Sequence, residues 1–125
     1  MDYRRIIIEL LKLTNIDFTE SSNNYCDTVG TIKIQDYIFN IDLKYDYAQP
    51  YIVVNYLIPI EDRDIENVMD IEEEINERFI VGKCKVENDC FHLYTGFALI
   101  NEGWIEKSLN TSITTMLHMI HGCMH

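Results

Sequence analysis

Tyr37-Ile38-Phe39-Asn40-Ile41-Asp42-Leu43-Lys44-Tyr45-Asp46 is the stretch on which the fold turns. Tyr37, Phe39, Ile41, Leu43 and Tyr45 alternate with Ile38, Asn40, Asp42, Lys44 and Asp46. Successive side chains of a strand point to opposite faces, so this pattern buries one face and wets the other. It predicts an antiparallel strand over 37–45, with Asn40, Asp42, Lys44 and Asp46 on the solvent side of a sheet.

Working outward, Gln35-Asp36 makes a tight turn to a preceding strand, from about Tyr25 to Ile34, in which Ile32 and Ile34 alternate with Lys33 and Gln35. On the other side, residues 47–50 turn the chain into a third strand, Tyr51 to Ile58. It is apolar on both faces apart from Asn55, which predicts a strand covered on each side. Pro59 ends it. Glu61 to Phe79 then reads as helix, with the stripe Ile65, Val68, Met69, Ile71, Ile75 and Phe79 and with Gly82 as a stop signal. Lys83 to Tyr94 reads as a hairpin turning near Asn88-Asp89. A last helix follows, capped by Asn101, with Ile105, Leu109, Ile113, Met116, Leu117, Ile120 and Met124 at helical spacing. The run Asn110 to Thr115 has poor helix propensity and predicts a break or kink. At the other end Asp2 to Leu13 is an amphipathic helix, and polar Thr14 to Asn24 is a loop or ragged edge. The order is α-βββ-α-ββ-α: an α+β domain with a five-stranded antiparallel sheet and helices on one face.

A chain of 125 residues, 47% of them apolar, is one globular domain. Its formal charge is −11, from 10 basic and 21 acidic residues. Direct binding of nucleic acid is not expected, because neutralising phosphates takes clustered Lys and Arg. No apolar run approaches the ~20 residues that span a bilayer. Glu9 and Lys12 interrupt the first apolar stretch too early for a signal peptide, so the expected location is the cytoplasm. Cys26, Cys84, Cys90 and Cys123 form no CxxC pair and are expected as reduced thiols. Cys84 and Cys90 flank the hairpin turn but would not stand directly opposite one another.

The second half carries a family resemblance. Ile75-Asn76-Glu77-Arg78-Phe79-Ile80-Val81-Gly82-Lys83-Cys84-Lys85-Val86 is similar to the YbjN-like pattern of an Asn late in the middle helix, then Gly-Lys, then a strand. Phe97-Ala98-Leu99-Ile100, leading to the helix with Trp104 and Ile105, fits the next segment. The layout also resembles bacterial type III secretion chaperones. The resemblance implies a small non-enzymatic domain, usually dimeric, that acts through protein contacts. It gives Asn76 and Gly82 structural roles only, as a cap-like polar group and a turn.

Candidate chemistry is sparse. His118, His121, Cys123 and His125 offer three imidazoles and a thiolate, a donor set that suits zinc. A helix end whose histidines complement the negative dipole explains them as well, and no metal or cofactor is expected. Cys26, Cys84 or Cys90 with His92 is a conceivable thiol–imidazole couple, without a third group to orient it. The glycines 30, 82, 96, 103 and 122 stand singly and make no phosphate loop. The expected function is therefore protein binding by a cytoplasmic, non-enzymatic homodimer. Tyr45, Tyr47 and Tyr51, around one turn, are candidate contact residues. Asp62, Asp64, Glu66, Asp70 and Glu73 on the acidic middle helix would steer a basic partner. Val68, Ile71 and Ile75, or Leu109, Ile113 and Met116, are the candidate dimer residues. The alternative is an acidic inhibitor or immunity-type protein that blocks a nucleic-acid-binding enzyme with the same carboxylates.

Overall fold

The computed structural model describes residues 2–23, 26–46, 48–99 and 102–124; Tyr25, Tyr47, Ile100, Asn101 and His125 lie outside them. Helix α1 (Tyr3–Lys12) is followed by strands β1 (Asp17–Glu20), β2 (Thr28–Ile34), β3 (Tyr37–Asp46) and β4 (Gln49–Pro59). A 3₁₀ segment (Asp62–Asn67) leads into α2 (Val68–Arg78), then come β5 (Lys83–Glu87), β6 (Cys90–Ala98), a short 3₁₀ turn (Glu102–Trp104) and α3 (Ile105–Met124). The strands form one antiparallel sheet in the order β1-β2-β3-β4-β6-β5.

The sheet has six strands, one more than the alternation predicts. The addition is β1, inside the polar stretch 14–24. Asp17 and Glu20 at its two ends suit an exposed edge and hide the strand from a hydrophobicity reading. It pairs with β2 from Asp17↔Lys33 to Glu20↔Gly30. Gly30 is needed for that pairing, because a Cβ there would overlap the Thr19 carbonyl and the Phe18 ring.

Both hairpin turns fall where the sequence places them. Ile34 pairs with Tyr37 across Gln35-Asp36, and Glu87 pairs with Cys90 across Asn88-Asp89. Asn88 and Asp89 both have positive φ (51° and 60°), the geometry that matches the twist of a two-residue hairpin and that Asn and Asp tolerate.

One face of the sheet is the core. Val29, Ile32, Phe39, Ile41, Ile52, Val54, Phe91 and Leu93 point to it and are buried. Three helices cover that face: α1 over β1 and β2, α3 over β4 and β6, and α2 beside β5. Each large apolar side chain buried there contributes roughly 1.5–3 kcal/mol of transfer free energy. Helix α1 starts on Asp2, whose carboxylate accepts from the Arg5 amide at 3.1 Å. Helix α3 is unbroken through Asn110–Thr115, against the expectation. The hydroxyls of Thr111, Thr114 and Thr115 donate to carbonyls four residues back, and Leu109, Ile113, Met116, Met119 and Ile120 are buried. Packing outweighs propensity here.

The middle helix is shorter than predicted. Asp62–Asn67 takes the tighter 3₁₀ path, and the α-helix begins at Val68. Gly82 is not a left-handed helix cap, since no described glycine has positive φ. Its role is close approach: a Cβ there would overlap the Met119 sulfur on α3. Asn76 caps a strand edge rather than a helix end. Its amide nitrogen donates to the Cys84 carbonyl at 2.9 Å and its amide oxygen accepts from the Cys84 N–H at 2.7 Å. Glu72 accepts from the Val86 N–H at 2.7 Å. These backbone groups point away from β6, so α2 closes the outer edge of β5 with side chains. Asn76→Ala leaves the Cys84 pair without partners and is expected to lower the unfolding free energy by roughly 1–3 kcal/mol in urea titration, with Asn76→Asp intermediate; equal midpoints for all three proteins would refute the clamp.

Candidate functional site

The second face of the sheet is open. The third predicted strand is β4, and nothing among the described residues covers its outer side. Tyr51 and Val53 are half-buried there, and Leu57 is 54% exposed. The expectation of a strand covered on both faces fails because the three helices among the described residues all lie on the core side. Ile38, 55% exposed on β3, adds to the apolar content of this face. Among the chain's six lysines, Lys33, Lys44, Lys83 and Lys85 stand in register positions that point here. The acidic excess of the chain therefore lies mainly on the helical side.

A row of polar side chains crosses this face over five strands. Lys85 on β5 lies 3.6 Å from the Glu87 carboxylate. The other Glu87 oxygen lies 2.6 Å from His92 Nδ1, and His92 Nε2 lies 2.7 Å from Asn55 Oδ1. Asn55 Nδ2 donates to Asp42 Oδ2 at 2.9 Å, and the Thr28 hydroxyl donates to Asp42 Oδ1 at 3.0 Å. The order is legible from hydrogen-bonding capacity. Asp42 only accepts, so it takes the Asn55 amide nitrogen and turns the amide oxygen toward His92. With an acceptor at each ring nitrogen, both His92 bonds are made together only when both nitrogens carry protons. Asn55 is 8% exposed and stands at the middle of the row. The His92 and Tyr94 rings stack at 5.1 Å between centroids, tilted by 47°. Asp42, Lys44, Val53, Asn55, Lys85, Glu87, His92 and Tyr94 line a shallow groove of about 310 Å³.

Alternation alone finds part of this site. Asn40, Asp42 and Lys44 are on the wet face as predicted. Asn55 interrupts an apolar run and is the signal for a partner across the sheet. His92 and Glu87 become its neighbours only through the β4–β6 and β5–β6 registers.

The other predicted residues are scattered. Tyr45 is 57% exposed on the core side of β3, with its ring 6.3 Å from Tyr3. Tyr51 faces the opposite side, opposite Lys44. The two make no single patch, because the β3–β4 register pairs Tyr45 with Pro50 and Tyr51 with Lys44, on opposite faces; Tyr47 is outside the described residues. Asp62, Asp64 and Glu66 lie on the 3₁₀ segment, and Asp70 and Glu73 on α2, so they do not form one straight helical face. Ile75, Leu109, Ile113 and Met116 are all 5% exposed or less and belong to the core. They correct the dimer expectation: the spacing that suits an interface is used within the protomer. Val68 and Ile71 are half-buried against the same core.

His118 and His121 line one groove with Glu74, Arg78 and Phe79, while Cys123 is buried among core residues, so the tail's described donors do not converge. Cys84 points to the core and His92 to the open face, which dissolves that thiol–imidazole couple. Cys90 shares the open face with His92, whose ring nitrogens are engaged by Glu87 and Asn55. Cys26 is exposed in the loop before β2 and donates to the Asn23 carbonyl at 3.3 Å.

No family model and no curated protein matches the chain. Among solved structures, the crystal structure of YbjN from E. coli, a proposed transcription regulator, matches with a TM-score of 0.73. The match covers 93% of this chain and 87% of that one, at 12% identity. The fold is that of YbjN. At this identity the likeness is one of fold, and it agrees with the resemblance carried by residues 75–86.

The hydrogen bond from His92 holds the Glu87 carboxyl below the usual carboxylate range, with Lys85 adding to the effect. A depressed carboxyl stabilises the fold above its unfolded value, and that stabilisation is lost as pH falls through the folded one. In an NMR pH titration, His92→Leu is expected to move the Glu87 midpoint up toward the ordinary range; an unchanged midpoint would show that His92 is not its partner.

Proposed function

We propose that this protein is a non-enzymatic binding module of regulatory or chaperone-like type, and that another protein docks on the open face of its sheet. One observation carries the reading. On the central strand β4, no element among the described residues covers Val53 and Leu57, and a fixed polar row crosses beside them. Apolar surface rimmed by ordered polar groups is the composition of a contact surface. The row's groups bond one another, so they fix side-chain positions on that surface rather than offer an unpartnered nucleophile. The transcription-regulator role proposed for YbjN agrees with a regulatory role here. A cytoplasmic address fits the sequence, and no described helix is long and apolar enough to cross a membrane.

The test is capture from the native host with three baits. The wild-type chain and an Asp70→Asn/Glu73→Gln variant are expected to retain the same protein, and Leu57→Asp is expected to lose it. Leu57 is exposed, so this change should leave the fold intact. Loss with the α2 variant alone would favour the acidic-inhibitor reading; retention by Leu57→Asp would refute docking on the open face.

The same reading includes a homodimer. With the spaced apolar residues of α3 in the core, the surface available on the helical side holds Ile65 and Met69, 61% and 68% exposed, near the start of α2. Sedimentation equilibrium is expected to give twice the chain mass, and Met69→Lys to shift it toward the monomer. A wild-type monomer at high micromolar concentration would remove this part.

A further inference from the structure

The end of α3 comes close to the chain just before β5 at Gly82. Gly82, one residue before β5, comes so close to α3 that a Cβ would overlap the Met119 sulfur. Two residues of strand advance about 6.6 Å, and four residues of helix about 6.0 Å. One step on from Gly82 and Met119, the next residues on the same sides of strand and helix are Cys84 and Cys123. Both are in the core, 4% and 6% exposed. Gly122 keeps this last turn of α3 close to α2, since a Cβ there would lie 2.5 Å from Ile75 Cδ1. Asn76 holds the Cys84 backbone on both sides, which fixes where its sulfur points. Interaction with Cys84 holds the Cys123 thiol below its ordinary value, and interaction with Cys123 together with burial pushes Cys84 up.

We propose that Cys84 and Cys123 are a reversible oxidation site, closing a disulfide that ties the last turn of α3 to edge strand β5. The co-reactant is a hydroperoxide, ROOH. The Cys123 thiolate attacks its terminal oxygen, the O–O bond breaks, and the alkoxide leaves as ROH with the proton given up by Cys123. The Cys84 sulfur then attacks the Cys123 sulfenic acid. The S–O bond breaks, the S–S bond forms, and hydroxide leaves as water with the Cys84 proton. Two thiols lose two electrons and the peroxide gains them. The cross-link closes the chain segment from 84 to 123, which contains all of β6, and β5 carries Lys83 and Lys85 to the open face. Oxidation thereby stiffens one border of that face. Cys26 lies in a distant loop and Cys90 on the opposite side of the sheet, so neither shares this contact.

The experiment treats the folded full chain with hydrogen peroxide, blocks remaining thiols under denaturing conditions, and maps the peptides. The expected product has lost two hydrogens, links Cys84 to Cys123, and reverts with dithiothreitol. Cys84→Ser and Cys123→Ser are each expected to abolish it, and a Cys26→Ser/Cys90→Ser protein to retain it. The wild-type peptide map decides the matter even if a serine variant fails to fold. A bridge involving Cys26 or Cys90, or Cys84 and Cys123 recovered as separate blocked thiols or separate sulfinic acids, would overturn the assignment.

Discussion

Burial on a single face of the sheet is the constraint to which the rest of this structure answers. Six antiparallel strands place their apolar side chains on the side where the described helices lie, because no other element among the described residues covers the second side. The period-two pattern of β3 and the spacing of α3 from Ile105 to Cys123 are two halves of that one requirement. It also explains why Ile75, Leu109, Ile113 and Met116 are unavailable for an interface. A sheet this wide consumes every wide apolar stripe that the helices offer. What remains uncovered is left to water or to a partner, and the chain furnishes that remainder with an ordered polar row and two exposed aliphatic side chains.

Sheet borders are the second problem, and the chain handles its two edges differently. At β1 the strand is four residues long and charged at both ends. At β5 a helix is drawn in close, and Asn76 and Glu72 take up the outward backbone groups of Cys84 and Val86. Drawing α2 and α3 together at this border demands small residues, which Gly82 and Gly122 supply. The same closeness places two buried thiols, Cys84 and Cys123, at this border. The edge clamp, the tight helix approach and the cysteine pair are consequences of one packing decision.

Much of this was legible in the sequence, and where it was not the reason is physical. Alternation marked β2, β3 and the β5–β6 hairpin, and Asn88-Asp89 marked the turn, because side-chain direction and positive-φ tolerance are local properties. Strand β1 was not legible, since an edge strand is selected for polarity and its pairing depends on Gly30. Thr111 to Thr115 read as a weak point in a helix, yet hydroxyl back-bonding and the buried stripe beneath them hold it. Residues 62–67 read as the first turns of a helix, but they take the tighter 3₁₀ path and the α-helix starts only at Val68. Asn55 was visible as an exception in an apolar run; Glu87 and His92 were not visible as its neighbours.

By itself the sequence determined the fold class, most strand positions, both hairpin turns and the wet side of β3, because period and turn chemistry are written residue by residue. The folded chain adds that the outer side of β4 stays open, that Glu87, His92, Asn55 and Asp42 meet in one row, and that Cys84 and Cys123 are both buried in the core. Those facts depend on strand order and on how closely two helices approach an edge. Contacts between residues tens of positions apart are set by the packing of the whole core and leave no periodic trace along the chain.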